Sequence, residues 1–125
     1  MIEKPSPIFA KTYDFLLWLL NTTEKFPKSE RFRLAKRIDD SIFLFHDILV
    51  DATRTRTPRR ALLETDRELD RLRLYVRLSD ERSLLKDNQY RYASEQLTEI
   101  GKLLGGWLKT LSNEKNRNRT YADRS

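Results

Sequence analysis

A chain of 125 residues with no cysteine and one histidine has room for a single domain, and it excludes disulfides, thiolate metal sites and centres built on several histidines. Lys and Arg number 25 against 19 Asp and Glu, a net charge of +6 that points toward a polyanionic partner, and sixteen of those cations are arginines, the side chain suited to phosphate forks. No apolar run approaches the ~20 residues of a membrane-crossing helix, and Met1-Ile2-Glu3-Lys4-Pro5 lacks the pattern of a signal peptide, so a cytoplasmic protein without membrane attachment is expected.

Between the few Gly and Pro residues, apolar side chains recur at helical spacing, with no alternating, strand-like stretch of useful length. The first segment spans roughly residues 7–23, with Phe9, Tyr13, Leu16, Leu17 and Leu20 expected on its core face. Phe26-Pro27 ends it, because proline biases its predecessor away from the α region. The second spans roughly 29–52, opened by Ser29 as N-cap, with Leu34, Ile38, Ile42, Phe45, Leu49 and Ala52 as its inner stripe. The third, roughly 58–82, begins at Pro58, which suits a first helical turn, and is lined by Leu62, Leu69, Leu72 and Val76.

The fourth, roughly 87–112, has the cleanest pattern: Tyr90, Ala93, Leu97, Ile100, Leu104, Trp107, Leu108 and Leu111 share one arc. Residues 113–125 are polar and charged and are expected to form a disordered basic tail. Four amphipathic segments joined by short connections predict an all-α, up-down-up-down antiparallel four-helix bundle over residues 1–112.

Three features go beyond the bundle. Apolar residues outside the expected core faces are Ile8, Phe15 and Leu19 in the first segment, Phe32, Phe43 and Val50 in the second, and Leu63, Leu74 and Leu78 in the third. They widen the core, or they form an interface between copies of the chain; so much exposed apolar surface favours the interface. Cations gather at Lys25, Lys28, Arg31 and Arg33 around the first connection, at Arg54, Arg56, Arg59 and Arg60 around the second, and at Arg67, Arg71, Arg73 and Arg77 in the third segment. These are the candidate nucleic-acid-binding residues, and contacts of this kind hold phosphate without reading sequence. Asp66, Glu68 and Asp70 could neutralise part of that set. Tyr90, Tyr92 and Tyr121 lie near cations and could stack on bases, with core packing the alternative for Tyr90. The third feature is a seam of small residues, Ser94, Gly101, Gly105 and Ser112. Gly101, Gly105 and Gly106 together cost ~3 kcal/mol of helix propensity relative to alanine. Close packing of a neighbouring backbone, or a docked partner, would offset that.

Catalytic constellations do not assemble. His46 sits beside the second segment's core stripe with Asp39, Asp40 and Asp47 near it, but no nucleophile or oxyanion site accompanies them. No phosphate-cradling glycine loop follows a strand, and one histidine cannot supply a di-iron bundle. A protein that is not an enzyme, with no cofactor, no metal and no small-molecule substrate, is expected.

Several stretches carry a family resemblance: Tyr13-Asp14-Phe15-Leu16-Leu17-Trp18-Leu19-Leu20, Glu24-Lys25-Phe26-Pro27-Lys28-Ser29-Glu30-Arg31-Phe32, Leu69-Asp70-Arg71-Leu72-Arg73, Gln89-Tyr90-Arg91-Tyr92-Ala93-Ser94, and Glu99-Ile100-Gly101-Lys102-Leu103-Leu104-Gly105-Gly106-Trp107-Leu108-Lys109. In this order and spacing they resemble the accessory variability determinant (Avd) family of diversity-generating retroelements, which is related to four-helix proteins encoded in ribosomal-RNA intervening sequences. The resemblance runs from Tyr13 to Lys109; the Thr53–Thr57 arginine-threonine run and the segment after Leu111 depart from it. It implies a non-catalytic homopentamer that binds the retroelement's reverse transcriptase and its template RNA or cDNA in mutagenic reverse transcription. The alternative is an oligomeric scaffold of the intervening-sequence type with no reverse-transcriptase partner. No binding residue is carried over from the family.

Overall fold

The computed structural model describes residues 7–124, with side chains as far as Lys115. The Met1–Pro5 segment and Tyr121 therefore lie outside the described side chains. Helix α1 spans Pro7–Thr23, α2 Leu34–Ala52, α3 Pro58–Glu81 and α4 Asp87–Arg124. They form an up-down-up-down four-helix bundle in which α1 packs on α2 and α4, and α3 packs on α2 and α4. The described residues contain no strand.

The helix ends follow from local chemistry. Thr22 Oγ1 donates to the Trp18 carbonyl at 2.8 Å, and Thr23 Oγ1 donates to Asp39 Oδ1 at 2.7 Å, tying the end of α1 to α2. Pro27 has no N–H to extend a helix and opens a short 3-10 turn, Lys28–Glu30. The second helix thus starts at Leu34 rather than near Ser29, and Arg33 occupies its N-cap without a side-chain bond. The delay lets the Glu30 side chain turn inward, where Oε2 accepts from Arg82 Nη2 at 3.0 Å. Pro58 does stand in the first turn of α3. That helix stops where Ser83 adopts a φ of 61° and the Leu84 N–H reaches the Ser79 carbonyl at 2.8 Å, a 6→1 closure that needs a left-handed residue. At the start of α4 the Lys86 N–H donates to Gln89 Oε1 at 2.8 Å, half of a capping box. Rather than giving way to an irregular tail after Ser112, the backbone stays helical to Arg124; with no Gly or Pro in that stretch, adding each residue to a formed helix is inexpensive.

The core stripes expected for α2 and α3 are buried, among them Ile38, Ile42, Phe45 and Leu49, and Leu62, Leu69, Leu72 and Val76. Of the α4 stripe Ala93, Leu97, Ile100 and Leu104 are buried, while Tyr90, Trp107, Leu108 and Leu111 are half-buried against the core. Helix α1 is the correction. Ile8, Phe15 and Leu19, expected on the outside, are buried, whereas Tyr13 is 61% and Leu17 50% exposed. Apolar residues surround α1 almost completely, so their spacing does not select a face. Packing against α2 and α4 selects it: Ile8, Phe15 and Leu19 are buried together with Thr12, Thr22 and Thr23.

On the α2–α3 seam the buried carboxylate of Glu68 is satisfied at both oxygens, by Ser41 Oγ at 2.6 Å and by Arg71 Nη1 at 2.6 Å.

Candidate nucleic-acid interface

Alternating helix direction sends the predicted cations to opposite ends of the bundle. Lys25, Lys28, Arg31 and Arg33 sit at the end that holds the α1–α2 and α3–α4 connections. Arg54, Arg56, Arg59 and Arg60 sit at the other, with the C-terminal half of α4. The two ends are separated by the 24 residues of α3, roughly 36 Å of helix.

Along α3, three of the four candidate arginines are drawn to acids on their own helix: Arg71 to Glu68, Arg73 to Asp70 at 2.7 Å and Arg77 to Glu81 at 3.2 Å. Arg73 also lies across α4. A Cβ built on Gly101 would stand 2.6 Å from Arg73 Nη2, so this glycine makes room for the guanidinium. The space at Gly101 is thus taken by neighbouring side chains rather than by the backbone expected of the small-residue seam, whereas a Cβ on Gly105 or Gly106 would meet nothing within 4 Å. Arg67 makes no ion pair among the described residues.

The α2–α3 end has a different character. Thr53 Oγ1 donates to the Val50 carbonyl at 2.6 Å, and the Thr57 N–H donates to Thr55 Oγ1 at 3.2 Å, so the arginine-threonine run is a bonded turn. Arg54 follows the C-terminus of α2, where a cation meets the negative end of the helix dipole. Arg59 and Arg60 have the opposite relation. They occupy the first turn of α3, which holds no acid, and Thr57 at the N-cap forms no side-chain bond to the open amides. Cations there oppose the dipole, and the same amides attract anions.

Together with Arg56 and Lys115, these arginines rim a concavity of about 530 Å³ whose apolar lining includes Leu63 and Leu111. Arg59 is held in place by Ser112 Oγ at 3.0 Å. Arg60 approaches Glu64 at 3.7 Å but keeps a side chain 90% exposed. Among the described residues no acid lines this hollow. Lys115 escaped the sequence reading because it was assigned to the tail; its place four residues after Leu111 on the same helix was the available signal. Arg37 and Arg82 at the opposite end were also missed. Arg37 lies one helical turn after Arg33, a signal the sequence offered, whereas only packing brings Arg82 beside them in one hollow.

The outward apolar residues divide in the same way. Phe32, Phe43, Leu63, Leu74 and Leu78 are exposed and Val50 is half-buried. Ile8, Phe15 and Leu19 belong to the core, so they leave the candidate interface between copies, while Tyr13, Leu17 and Leu44 are exposed. The Thr23–Asp39 bond sets the antiparallel register, so Tyr13–Leu20 runs beside Phe43–Val50 and an apolar seam follows the outside of α1 and α2. His46 lies in that stretch, 3.9 Å from Asp47 Oδ1. Among the described residues no group of three or more His, Asp or Glu side chains is placed to hold a metal ion, and no helix is long and apolar enough to cross a membrane.

A four-helix bundle with an acid-free basic hollow at one end and an uncovered apolar seam along one side defines the class: a small helical protein built around surfaces. The sequence assigns it more narrowly. A family model described as bAvd-like matches residues 7–111, and the chain belongs to that family. Among solved structures it is similar to a crystal structure of a protein of unknown function from the S23 ribosomal protein family of Bacteroides thetaiotaomicron. The identity is 20%, the match covers 82% of this chain and 95% of that one, and the TM-score is 0.74, a likeness of fold. No curated protein matches the chain.

Proposed function

We propose that this chain is a non-catalytic accessory protein of a diversity-generating retroelement, which binds the element's reverse transcriptase and its template RNA or cDNA and works as a homo-oligomer in the cytoplasm. The observation that carries the nucleic-acid part is the basic hollow of Arg56, Arg59, Arg60 and Lys115. Two arginines in the first turn of α3 stand against the helix dipole, where acids would be favoured for stability alone. Phosphate reverses that balance, since it is held by the guanidinium groups and by the open amides together. Membership of the bAvd-like family supports the accessory role, and the resemblance to Avd proteins supports five copies per assembly. The α1–α2 apolar seam is the surface through which copies meet, because Tyr13, Leu17 and Phe43 leave large side chains uncovered on one protomer.

The test combines light scattering with RNA binding across a salt series and co-purification with the reverse transcriptase encoded beside the gene. The expected result is a closed oligomer that retains the polymerase and loses RNA steeply as salt rises. A protomer that stays single at high concentration and ignores RNA in dilute buffer refutes the proposal. An oligomer that binds neither RNA nor polymerase supports the scaffold of the intervening-sequence type instead.

A further inference from the structure

The exposed aromatic at the other end of the bundle does not belong with the apolar seam. Phe32 is 80% exposed and lies in the turn between the 3-10 segment and α2, with Arg31 and Arg33 as chain neighbours. It borders a concavity of about 550 Å³ whose lining also includes Leu34, Tyr75 and Leu78, together with Arg33, Arg37 and Arg82. The guanidinium of Arg37 stands 6.0 Å over the Tyr75 ring, parallel to the kind of contact an arginine makes with a nucleobase.

Charge selects the occupant. The nearby acid is Glu30, and its Oε2 is shared by Arg82 at 3.0 Å and Arg33 at 3.8 Å; Arg37 makes no ion pair among the described residues, so three arginines stand against one carboxylate and the hollow is net positive. A second copy meeting this rim with the same arginines would face like charge. A nucleic-acid strand fits both components, because its phosphates suit the arginines and its bases have flat apolar faces. The bases must be free to leave their own stack, which a duplex does not allow.

We infer that Phe32 is a stacking platform for one unpaired base, with Arg33, Arg37 and Arg82 holding the flanking phosphates, and that this site prefers single strands. The site rests on the nucleic-acid reading above but is separate from the hollow at the α2–α3 end. A tetranucleotide is too short to reach from one to the other across the length of α3.

The experiment uses the full chain and a tetraribonucleotide with 2-aminopurine at an inner position, a base whose fluorescence is quenched on stacking. Affinity is read by anisotropy in low salt, against an RNA duplex as control. The wild-type chain should quench the probe. Phe32→Leu keeps an apolar side chain but loses the aromatic face; it should weaken tetranucleotide binding about ten-fold and abolish the quench, with duplex affinity unchanged. Phe32→Trp should retain both signals. Quenching and affinity unaltered in Phe32→Leu overturn the site while leaving the function standing. A wild-type chain that binds neither RNA refutes the nucleic-acid function itself. If Phe32→Leu instead changes the mass of the assembly and not RNA binding, the residue is a contact between copies and the inference fails.

Discussion

Reversing the charge of Arg56, Arg59 and Arg60 to Glu separates a binding role from a structural one, because the two predict different outcomes for fold and affinity. Stability first: placing acids at two first-turn positions of α3 gains about 0.3–1 kcal/mol each from the helix dipole. Against that stands the Arg59–Ser112 hydrogen bond of 3.0 Å at the surface, roughly 0.5–1 kcal/mol. The Arg60–Glu64 pair at 3.7 Å adds a loss of a few tenths of a kcal/mol, and like charges at i,i+4 cost about as much again. These terms nearly cancel, so the fold should survive with little change in melting temperature.

Binding should not survive in the same way. Three phosphate contacts on a single strand contribute a salt exponent of about 2.1, and losing their counterion release lowers affinity about 500-fold near 50 mM salt but only about 30-fold near 200 mM. Circular dichroism melts and RNA titrations at the two salt concentrations read both quantities. A variant that melts as the wild type does and binds RNA with the same salt slope refutes the assignment of this hollow. A variant that unfolds shows that the arginines hold the connection together.

Three further outcomes follow from the interior and the helix surface. Thr12 is fully buried and its Oγ1 has no hydrogen-bond partner, so Thr12→Val should stabilise the chain by ~1 kcal/mol, a rise of about 4 °C in a thermal melt; a lower melting temperature would mean the hydroxyl is satisfied. The pKa of Asp39 is raised above its ordinary 3.8, chiefly by burial and slightly by Asp40, against the opposing bond from Thr23. The folded state therefore holds this proton more tightly than the unfolded one, and the ionised carboxylate costs stability above the folded pKa. That cost is relieved as pH falls through it. Asp39→Asn should be more stable than wild type in neutral urea titrations, with the difference fading as pH drops below the ordinary carboxylate range; equal stability at both ends of the series would refute this. Gly105→Ala, with open space around the new methyl group, should gain ~0.8–1 kcal/mol in the urea midpoint. At Gly101 the gain should be cancelled, because the methyl would displace Arg73. A loss at Gly105 would show another backbone packing there.

Local chemistry by itself determined most of the scaffold. Pro27, Pro58 and the Lys86-Asp87 start punctuate the chain, and in α2, α3 and α4 polar faces contrast sharply enough with apolar ones that periodicity alone places Ile42, Leu69 and Ile100 in the core. It also marked the arginines of the α2–α3 connection, because four cations without intervening acid are visible in any order of folding. Tertiary structure decided what depends on distant partners. Helix α1 is apolar nearly all round, so only packing chose Phe15 for the interior and left Tyr13 outside. The Glu30–Arg82 pair joins residues 52 positions apart, and the hollow beside Phe32 draws on two distant stretches, 32–37 and 75–82. Helical periodicity reports which residues share a face. Which face meets a neighbour, and which cations converge, depends on how the helices are laid side by side.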